Sequence, residues 1–301
     1  QLDDKFATVH RNLGWAYHRT ENNIKQAVVH YEKAISCDST DPRLYAELDV
    51  LYELEGTSPK KRLALLEKNH NTVIQRDDSL LREIMLLVQL GRYDDAIKFL
   101  TDHHFHTWEG GGEVHDVYVD AYLLRGAKKF KNKKFSEALE DYHAAGEYPE
   151  NLEVGRPRND SHAPQVNYFV ATAYEALGND QKAQEFYEKS ANQQRTSRWP
   201  QTRYYQALAF SKLGKQQKAA EIFDQLIADG QQKLTEDVSM DFFAKFGEQQ
   251  TQQSRLADAH YVIGLGYLGQ GKTKRAKERF QQALELNINH LWAAAQLSEL
   301  K

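Results

Sequence analysis

The sequence predicts an all-α protein, built as a right-handed superhelical solenoid of about seven helix pairs and closed by a C-terminal capping helix. Three observations support this fold class. Apolar residues recur at helical spacing along most of the 301 residues. A motif of small and aromatic residues returns several times at a period of ~34 residues. The chain has 6 Pro and 17 Gly, which leaves little sequence for many-turned β architecture or long flexible linkers.

The repeated motif spans two helices. The first helix carries a large apolar residue, then a small residue, and an aromatic residue three positions after the small one. A turn residue follows, and the second helix carries a small residue and an aromatic residue. Small residues let two helices approach closely, and large ones fill the space between them. A glycine in the turn can adopt the left-handed conformation that ends the first helix. This order resembles the tetratricopeptide repeat, and it occurs at Leu13-Gly14-x2-Tyr17 with Ala27 and Tyr31, at Val170-Ala171-x2-Tyr174 with Gly178, Ala183 and Tyr187, and at Ile263-Gly264-x2-Tyr267 with Gly271, Ala276 and Phe280.

The small residue of the second helix gives the spacing of the repeats. Six alanines occupy this position: Ala27, Ala96, Ala138, Ala183, Ala219 and Ala276. The first interval covers 69 residues, so a degenerate repeat lies inside it. We predict one domain, residues 1–301, with a cap at 290–301 and repeats at about 7–40, 41–76, 77–102, 117–146, 164–192, 200–229 and 256–289.

Three intervals between these alanines exceed one repeat by about 8, 11 and 23 residues. The excess predicts insertions at about 103–116, 147–163 and 230–255, the last with a short amphipathic helix near residues 240–246. Insertions in a solenoid often fall on its binding face, and loops on a rigid scaffold commonly carry function. The first two insertions follow neighbouring helix pairs, so we expect them to lie near each other.

Segments of the three insertions resemble a narrower group of proteins. These segments are Phe105-x2-Trp108-Glu109-Gly110-Gly111, Tyr148-Pro149-Glu150-Asn151-x3-Gly155-Arg156-Pro157 and Asp241-Phe242-Phe243-Ala244. They look like the C-terminal region of large bacterial proteins that carry an N-terminal, β-rich domain of unknown function. The resemblance implies that the chain is one module of a multidomain protein, and the start at Gln1 agrees with that expectation. A role related to polysaccharides is loosely associated with the N-terminal part of those proteins, which is not part of this sequence.

The first two insertions supply most of the candidate binding residues. Trp108 beside Glu109 offers an aromatic platform and a hydrogen-bond acceptor, which suit a sugar or a peptide side chain. Alternatively, Trp108 plugs its loop onto the solenoid. Arg156 is suited to clamp a carboxylate or phosphate, or to tie its own loop to a neighbouring carboxylate. His106, Glu113 and Asn151 complete this part of the set.

The inner groove supplies the remaining candidates, Tyr122, Tyr168 and Tyr204. Tyrosine gives a large, rigid contact area at a small entropic cost, although some of these rings are expected to pack between repeats. We expect Trp108, Glu109 and Arg156 to converge at the mouth of the groove, beside Tyr122 and Tyr168. The repeat phase places these further residues inward: Leu123, Gln165, Thr172, Gln201, Asp258 and Tyr261.

The sequence predicts no catalytic residue, cofactor or metal. It lacks a phosphate loop, an HExxH motif, a nucleophile elbow and an acid/base spacing of carboxylates. A metal site is a possible interpretation of the cluster His104, His106, Glu109, Glu113 and His115. Zinc, however, needs three or four converging ligands, and three glycines interrupt this loop. Histidines packed within the loop or on its surface are the alternative.

Charge and composition exclude several classes of partner. The net charge is −4, from 39 basic and 43 acidic residues, so nucleic acid is not expected. No apolar run approaches the ~18 residues of a membrane span.

Cys37 is interpreted as a small packing residue, and a single cysteine is compatible with cytoplasm or periplasm. Arg11 and Trp15 do not match the Lys/Asn clamp with which tetratricopeptide domains hold chaperone C-termini.

These observations predict a protein- or ligand-binding scaffold module of a larger bacterial protein, and not an enzyme by itself. Its partner is expected to be a protein, a peptide or the N-terminal domain of the same protein, with a glycan as a further candidate. The alternative is an accessory domain that completes the active site of a carbohydrate-active enzyme, whose catalytic part lies outside this chain.

Overall fold

The computed structural model describes residues 6–106, 112–193, 202–236 and 252–300. Within these ranges every regular element is helical, and no β-strand is present. The predicted all-α class is therefore confirmed for this part of the chain. A short 3-10 helix covers Glu150–Leu152. The α-helices are α1 (Ala7–Glu21), α2 (Ile24–Cys37), α3 (Pro42–Glu55), α4 (Pro59–Lys68), α5 (His70–Val73), α6 (Asp77–Gln89), α7 (Tyr93–Asp102), α8 (Gly112–Lys131), α9 (Phe135–Ala144), α10 (Ala163–Ala176), α11 (Asp180–Asn192), α12 (Thr202–Lys212), α13 (Gln216–Thr235), α14 (Gln252–Gly269), α15 (Thr273–Leu286) and α16 (Leu291–Glu299).

The chain divides into two compact units. Unit 1 contains the described residues up to Phe99, and unit 2 contains those from Leu100 onward. In unit 1, α1 packs on α2, α2 on α3, and α3 and α4 on α6. In unit 2, the pairs α8–α9, α10–α11, α12–α13 and α14–α15 stack so that their first helices, α8, α10, α12 and α14, are neighbours. We call the side formed by these four helices the inner face of unit 2. The seven repeat boundaries stay a prediction.

The small residues of the motif mark the closest approach within a helix pair. The six alanines predicted to open the second helices are all buried, which confirms the phase of the motif. At three glycines of the first helices, an added Cβ would overlap an aromatic ring of the second helix. These close approaches, with the distance from the added Cβ to the nearest ring atom, are Gly14 to Tyr31 (2.6 Å), Gly126 to Tyr142 (2.4 Å) and Gly264 to Phe280 (2.5 Å).

The turns within the pairs use left-handed residues, as the motif predicts. Gly178 and Gly271 have φ of 74° and 73°. Asn22, with φ of 49°, ends α1 in the first pair. A side chain with a Cβ is strained in this conformation, which is why glycine or asparagine stands at these positions.

The helices extend further into the predicted insertions than expected. Helix α8 begins at Gly112, so residues 112–116 are helical. Helix α13 continues to Thr235, and its Gly230 lies against α14, where an added Cβ would be 2.5 Å from Ile263. The expected short helix near residues 240–246 falls outside the described residues.

Buried ion pairs join α3, α4 and α6 in unit 1. The Arg62 guanidinium donates to both carboxylate oxygens of Asp49, at 2.8 and 2.7 Å, and both side chains are almost fully buried. Arg82 of α6 donates to Asp49 and also to Glu53. Burial by itself raises the pKa of Asp49, but Arg82 and Arg62 overcome it and hold the pKa below its usual value.

Cys37 differs from its interpretation as a packing residue, because it is exposed. The buried face of α2 consists of Ala27, Val28, Tyr31 and Ala34. Cys37 is the last residue of the helix and lies off this face.

Candidate functional site

The second insertion is fixed to the end of α7 by one amide side chain. The Asn151 amide nitrogen donates to the carbonyls of Leu100 and His103, at 2.8 and 2.7 Å. In return, the backbone N–H of Phe105 donates to the Asn151 carbonyl at 2.7 Å. Phe105 and Leu152 are both buried at this junction. The described parts of the first two insertions therefore lie against each other, as their positions in the sequence predict.

A second contact joins the two insertions at the surface. Nε2 of His104 lies 2.9 Å from Oε1 of Glu153, and both side chains are exposed. Glu153 has a φ of 50°, so it terminates the 3-10 helix in the left-handed region. An exposed pair of this kind contributes little stability, about 0–1 kcal/mol, so its main effect is to orient the Glu153 carboxylate.

Tyr148 lies at the base of the second insertion, between the side chains of His115 and Arg156. The imidazole of His115 stacks on its ring with 3.8 Å between centroids, and the Arg156 guanidinium lies 4.7 Å from its centroid. Arg156 also donates to the Gly146 carbonyl at 2.7 Å and lies 3.7 Å from the Glu147 carboxylate. Arg156 thus ties its own loop together while its side chain remains exposed.

These residues enclose an open cleft of about 500 Å³, which we call the loop cleft. Its lining has three carboxylates and one guanidinium, so the cleft carries net negative charge. Asn151 and Leu152 anchor the segment from below, against the end of α7. The lining residues are Glu147, Tyr148, Pro149, Glu150, Glu153, Val154, Gly155 and Arg156.

A polar cluster lies behind the loop cleft at the start of α8 and α10. Nε2 of His115 hydrogen-bonds to the Glu147 carbonyl at 2.9 Å, and Nε2 of His162 to Oδ1 of Asp116 at 2.8 Å. Burial lowers the pKa of His115. Burial also acts to lower the pKa of His162, but the hydrogen bond and charge of Asp116 outweigh it and the net shift is upward.

Asp120 follows one turn later on α8 and meets the C-terminal helix. Its Oδ1 accepts a hydrogen bond from the Trp292 indole N–H at 2.8 Å. Burial raises the pKa of the Asp120 carboxyl to about 7. The polar cluster therefore runs along α8 from the base of the loop cleft to the inner face of unit 2.

The structure separates the predicted groove tyrosines into different environments. Tyr204 is buried against Tyr205 and Phe223, so its ring contributes to packing. Tyr168 is half-buried and contacts three other aromatic rings. Tyr122 is half-buried, with the Arg125 guanidinium 5.2 Å from its ring centroid.

The residues predicted from the first insertion are only partly covered by the structure. Trp108 and Glu109 lie outside the described residues, as does the inward candidate Gln201. His106 is exposed, and its ring meets that of His104 edge-on at 5.3 Å. Glu113 is exposed in the first turn of α8, where a carboxylate interacts favourably with the helix dipole. The expected convergence of Trp108 and Glu109 with Arg156 stays a prediction.

Neither a metal cluster nor a membrane span is found in the described ranges. No three His, Cys, Asp or Glu side chains within 6–106, 112–193, 202–236 and 252–300 are placed to hold an ion together. None of the helices described there is both long enough and apolar enough to cross a bilayer.

The sequence did not single out several residues that the fold brings together. Asp120, His162 and Trp292 are far apart in the chain, and only the stacking of α8, α10 and α16 makes them neighbours. Tyr148 belongs to the Tyr-Pro motif of the second insertion, but no sequence pattern indicates that its ring stacks on His115.

Stacked helix pairs with small residues at their crossings define a helical-repeat protein, a class whose stacked units provide extended binding surfaces. Models of the tetratricopeptide repeat match residues 164–196, 201–229 and 257–290. The chain therefore contains tetratricopeptide repeats, and its fold is that of a tetratricopeptide-repeat solenoid. Proteins of this type are generally non-catalytic scaffolds that bind protein partners.

The chain is also similar to solved structures of repeat proteins. A tetratricopeptide repeat protein from Parabacteroides merdae is 13% identical, with 98% of each chain covered and a TM-score of 0.46. The C-terminal part of a repeat-containing protein from Cytophaga hutchinsonii is 17% identical, with coverage of 96% and 99% and a TM-score of 0.42. PilF of Pseudomonas aeruginosa is 19% identical, with coverage of 74% and 90% and a TM-score of 0.43.

Proposed function

We propose that this chain is a scaffold that binds a protein partner, and that the loop cleft receives an extended, basic segment of that partner. The observation that carries the proposal is the cleft itself. A volume of about 500 Å³ is lined by three carboxylates, one guanidinium and one aromatic ring, on the second of the inserted segments. Inserted loops on a solenoid are commonly its binding elements.

The rigidity of the cleft supports this role. The Asn151 side-chain amide donates to the carbonyls of Leu100 and His103 at the end of α7, and Leu152 is buried beneath the loop. A binding surface that is already ordered loses less conformational entropy when the partner arrives.

The charge of the cleft defines the chemistry of the partner. Arg156 donates to the Gly146 carbonyl and lies near Glu147, so one guanidinium accompanies the three carboxylates of the lining and the cleft keeps a net negative charge. Lysine or arginine side chains of an extended segment complement these carboxylates. Exposed charges of this kind mainly raise the association rate and make binding depend on salt.

A selection from a displayed library of random peptides on the whole chain tests the proposal. We expect the enriched peptides to be rich in Lys and Arg, and their synthetic forms to bind in fluorescence anisotropy. The double variant Glu147→Lys with Glu150→Lys should weaken binding at least tenfold, or about 1.4 kcal/mol. Glu140→Lys on the exposed side of α9 is the matched charge control and should leave the affinity unchanged.

Two outcomes contradict the proposed function. In the first, acidic or apolar peptides are enriched and the double reversal does not affect them. In the second, peptides fail to bind while a glycan array gives specific binding, which favours the carbohydrate-related accessory role. The further proposal that the chain is one module of a larger bacterial protein rests on the resemblance of the insertions alone, and the full reading frame tests it.

A further inference from the structure

Two buried histidines lie between α8 and the second insertion. His115 of α8 is 3% exposed, and its Nε2–H donates to the Glu147 carbonyl at 2.9 Å. His162, at the end of the insertion, is 9% exposed, and its Nε2 lies 2.8 Å from Oδ1 of Asp116 on α8. One histidine therefore fastens the start of the insertion to α8, and the other fastens its end.

Contacts within the insertion link these two ends to each other. The Tyr148 ring stacks on His115, with 3.8 Å between centroids and 15° between the ring planes. The Tyr148 hydroxyl also hydrogen-bonds to the Asp160 carboxylate. Oδ1 of Asp160 in turn accepts the backbone N–H of His162 at 2.8 Å. Release of either histidine contact therefore loosens the segment that lines the loop cleft.

The surroundings of the two rings favour opposite protonation states. Three carboxylates face His162, namely Asp116 and Asp120 from α8 and Asp160 from the insertion. Burial acts to lower the pKa of His162, but these carboxylates outweigh it and hold the pKa above its ordinary value of 6.5. Burial lowers the pKa of His115, and the charge of His162, whose ring centroid lies 6.3 Å away, lowers it further.

The other titratable groups near these rings act in predictable ways. Tyr118 of α8 stacks on His115 at 5.9 Å, and the Arg156 guanidinium lies 4.7 Å from the Tyr148 centroid. Tyrosine hydroxyls stay neutral and arginine stays charged near neutral pH. Burial raises the pKa of Asp120 to about 7. Its ionisation in this range adds negative charge beside the imidazolium, which favours the protonated ring.

We propose that His115 and His162 form a two-histidine latch, which holds the second insertion on α8 while His162 is protonated and His115 is neutral. The latch concerns only whether the insertion is closed on α8 or open. Its consequence for ligand binding rests on the proposed function, because the insertion lines the loop cleft. The latch makes the order of that cleft depend on pH.

The two histidines limit the closed state at opposite ends of the pH range. The His162 contribution is complete below pH 6.5, the ordinary pKa of the open state, and is lost as pH rises through the raised pKa of the closed state. The His115 contribution is complete above pH 6.5 and is lost as pH falls through its lowered pKa. The insertion should therefore be most firmly closed near pH 6.5 and should open more often on either side.

Hydrogen exchange at the Phe105 amide measures this opening, because that N–H donates to the Asn151 carbonyl of the insertion. Rates measured from about pH 5.5 to about pH 8.5, divided by the intrinsic rate at each pH, give the opening constant without any ligand. In the unaltered chain we expect a minimum near pH 6.5 and a rise of at least about threefold at each end. An opening constant that stays flat across this range overturns the proposal.

Glutamine variants assign each rise to one histidine, because glutamine keeps an amide nitrogen near the position of Nε2 but does not titrate. His162→Gln should remove the rise above pH 6.5 and keep the one below it, and His115→Gln should do the reverse. His143→Gln, at an exposed position of α9, is the matched control and should keep both. The proposal fails if a rise persists in the variant that lacks its histidine. It also fails if His104→Gln, at the surface contact with Glu153, removes a rise instead.

The latch and the proposed function can fail separately. Where circular dichroism shows that a variant is unfolded, the exchange profile of the unaltered chain decides, since it needs neither variant nor ligand. Fluorescence anisotropy with a basic peptide selected on the whole chain should show the tightest binding near pH 6.5. Basic peptides that do not bind at any pH contradict the proposed function, while an opening constant with the expected minimum still supports the latch.

Discussion

Replacing Ala276 by leucine should destabilise unit 2, because the contact between α14 and α15 has no free space. Ala276 is fully buried, and so is Phe280 one turn later. Even one carbon added at Gly264 on the facing helix would lie 2.5 Å from Phe280. Three additional carbons would each gain about 0.8 kcal/mol if they found room. Since they find none, overpacking dominates, and we expect a net loss of about 1–3 kcal/mol.

Urea unfolding, followed by circular dichroism, measures this loss as a difference in the free energy of unfolding. Glu278→Leu, at an exposed position of the same helix, is the matched control and should change stability by less than about 0.5 kcal/mol. The reasoning is refuted if Ala276→Leu unfolds at the same midpoint as the unaltered chain. It is equally refuted if the two leucine variants behave alike.

Three further changes test other parts of the molecule. Asn151→Ala removes two hydrogen bonds and should lower the local opening energy of the loop by about 1–3 kcal/mol, seen as faster hydrogen exchange at the Phe105 amide. Arg62→Met removes two hydrogen bonds to the buried Asp49 carboxylate, which keeps Arg82 as a partner, and should cost about 1.5–3 kcal/mol in urea unfolding, against less than about 1 kcal/mol for Arg76→Met at a surface pair. The raised pKa of Asp120, about 7, means that the folded state binds its proton more tightly than the unfolded state. Stability should therefore fall as pH rises from about 4 to about 7, and Asp120→Asn should remove that slope in urea titrations at several pH values.

The sequence was sufficient to predict the packing of the helix pairs. An alanine such as Ala138 or Ala219 marks a crossing where two helix backbones meet, and the spacing of these residues follows from helix geometry alone. The left-handed turns at Gly178 and Gly271 follow from the same motif. Each of these contacts joins residues close in the chain, so the local pattern contains the information.

The site depends on contacts between distant residues, and these were predicted less well. The sequence indicated Asn151 and Arg156, because unusual motifs in an insertion are visible locally. It gave no sign that Trp292 would meet Asp120, which lies 172 positions earlier. That meeting depends on how four helix pairs stack, and small changes at each crossing accumulate along a stack. Tyrosine is a residue type that is common in binding sites, but the ring of Tyr204 is buried in the core.

Hydrogen–deuterium exchange of the whole chain, with and without a basic peptide selected from the library, tests the central claim most directly. The claim is that a protein partner binds in the loop cleft. We predict that the peptide slows exchange at residues 147–156 and at 103–106, where the two insertions meet. We also predict that the protection is lost in the Glu147→Lys, Glu150→Lys variant. Protection confined to other helices, with these loops unchanged, would contradict the claim.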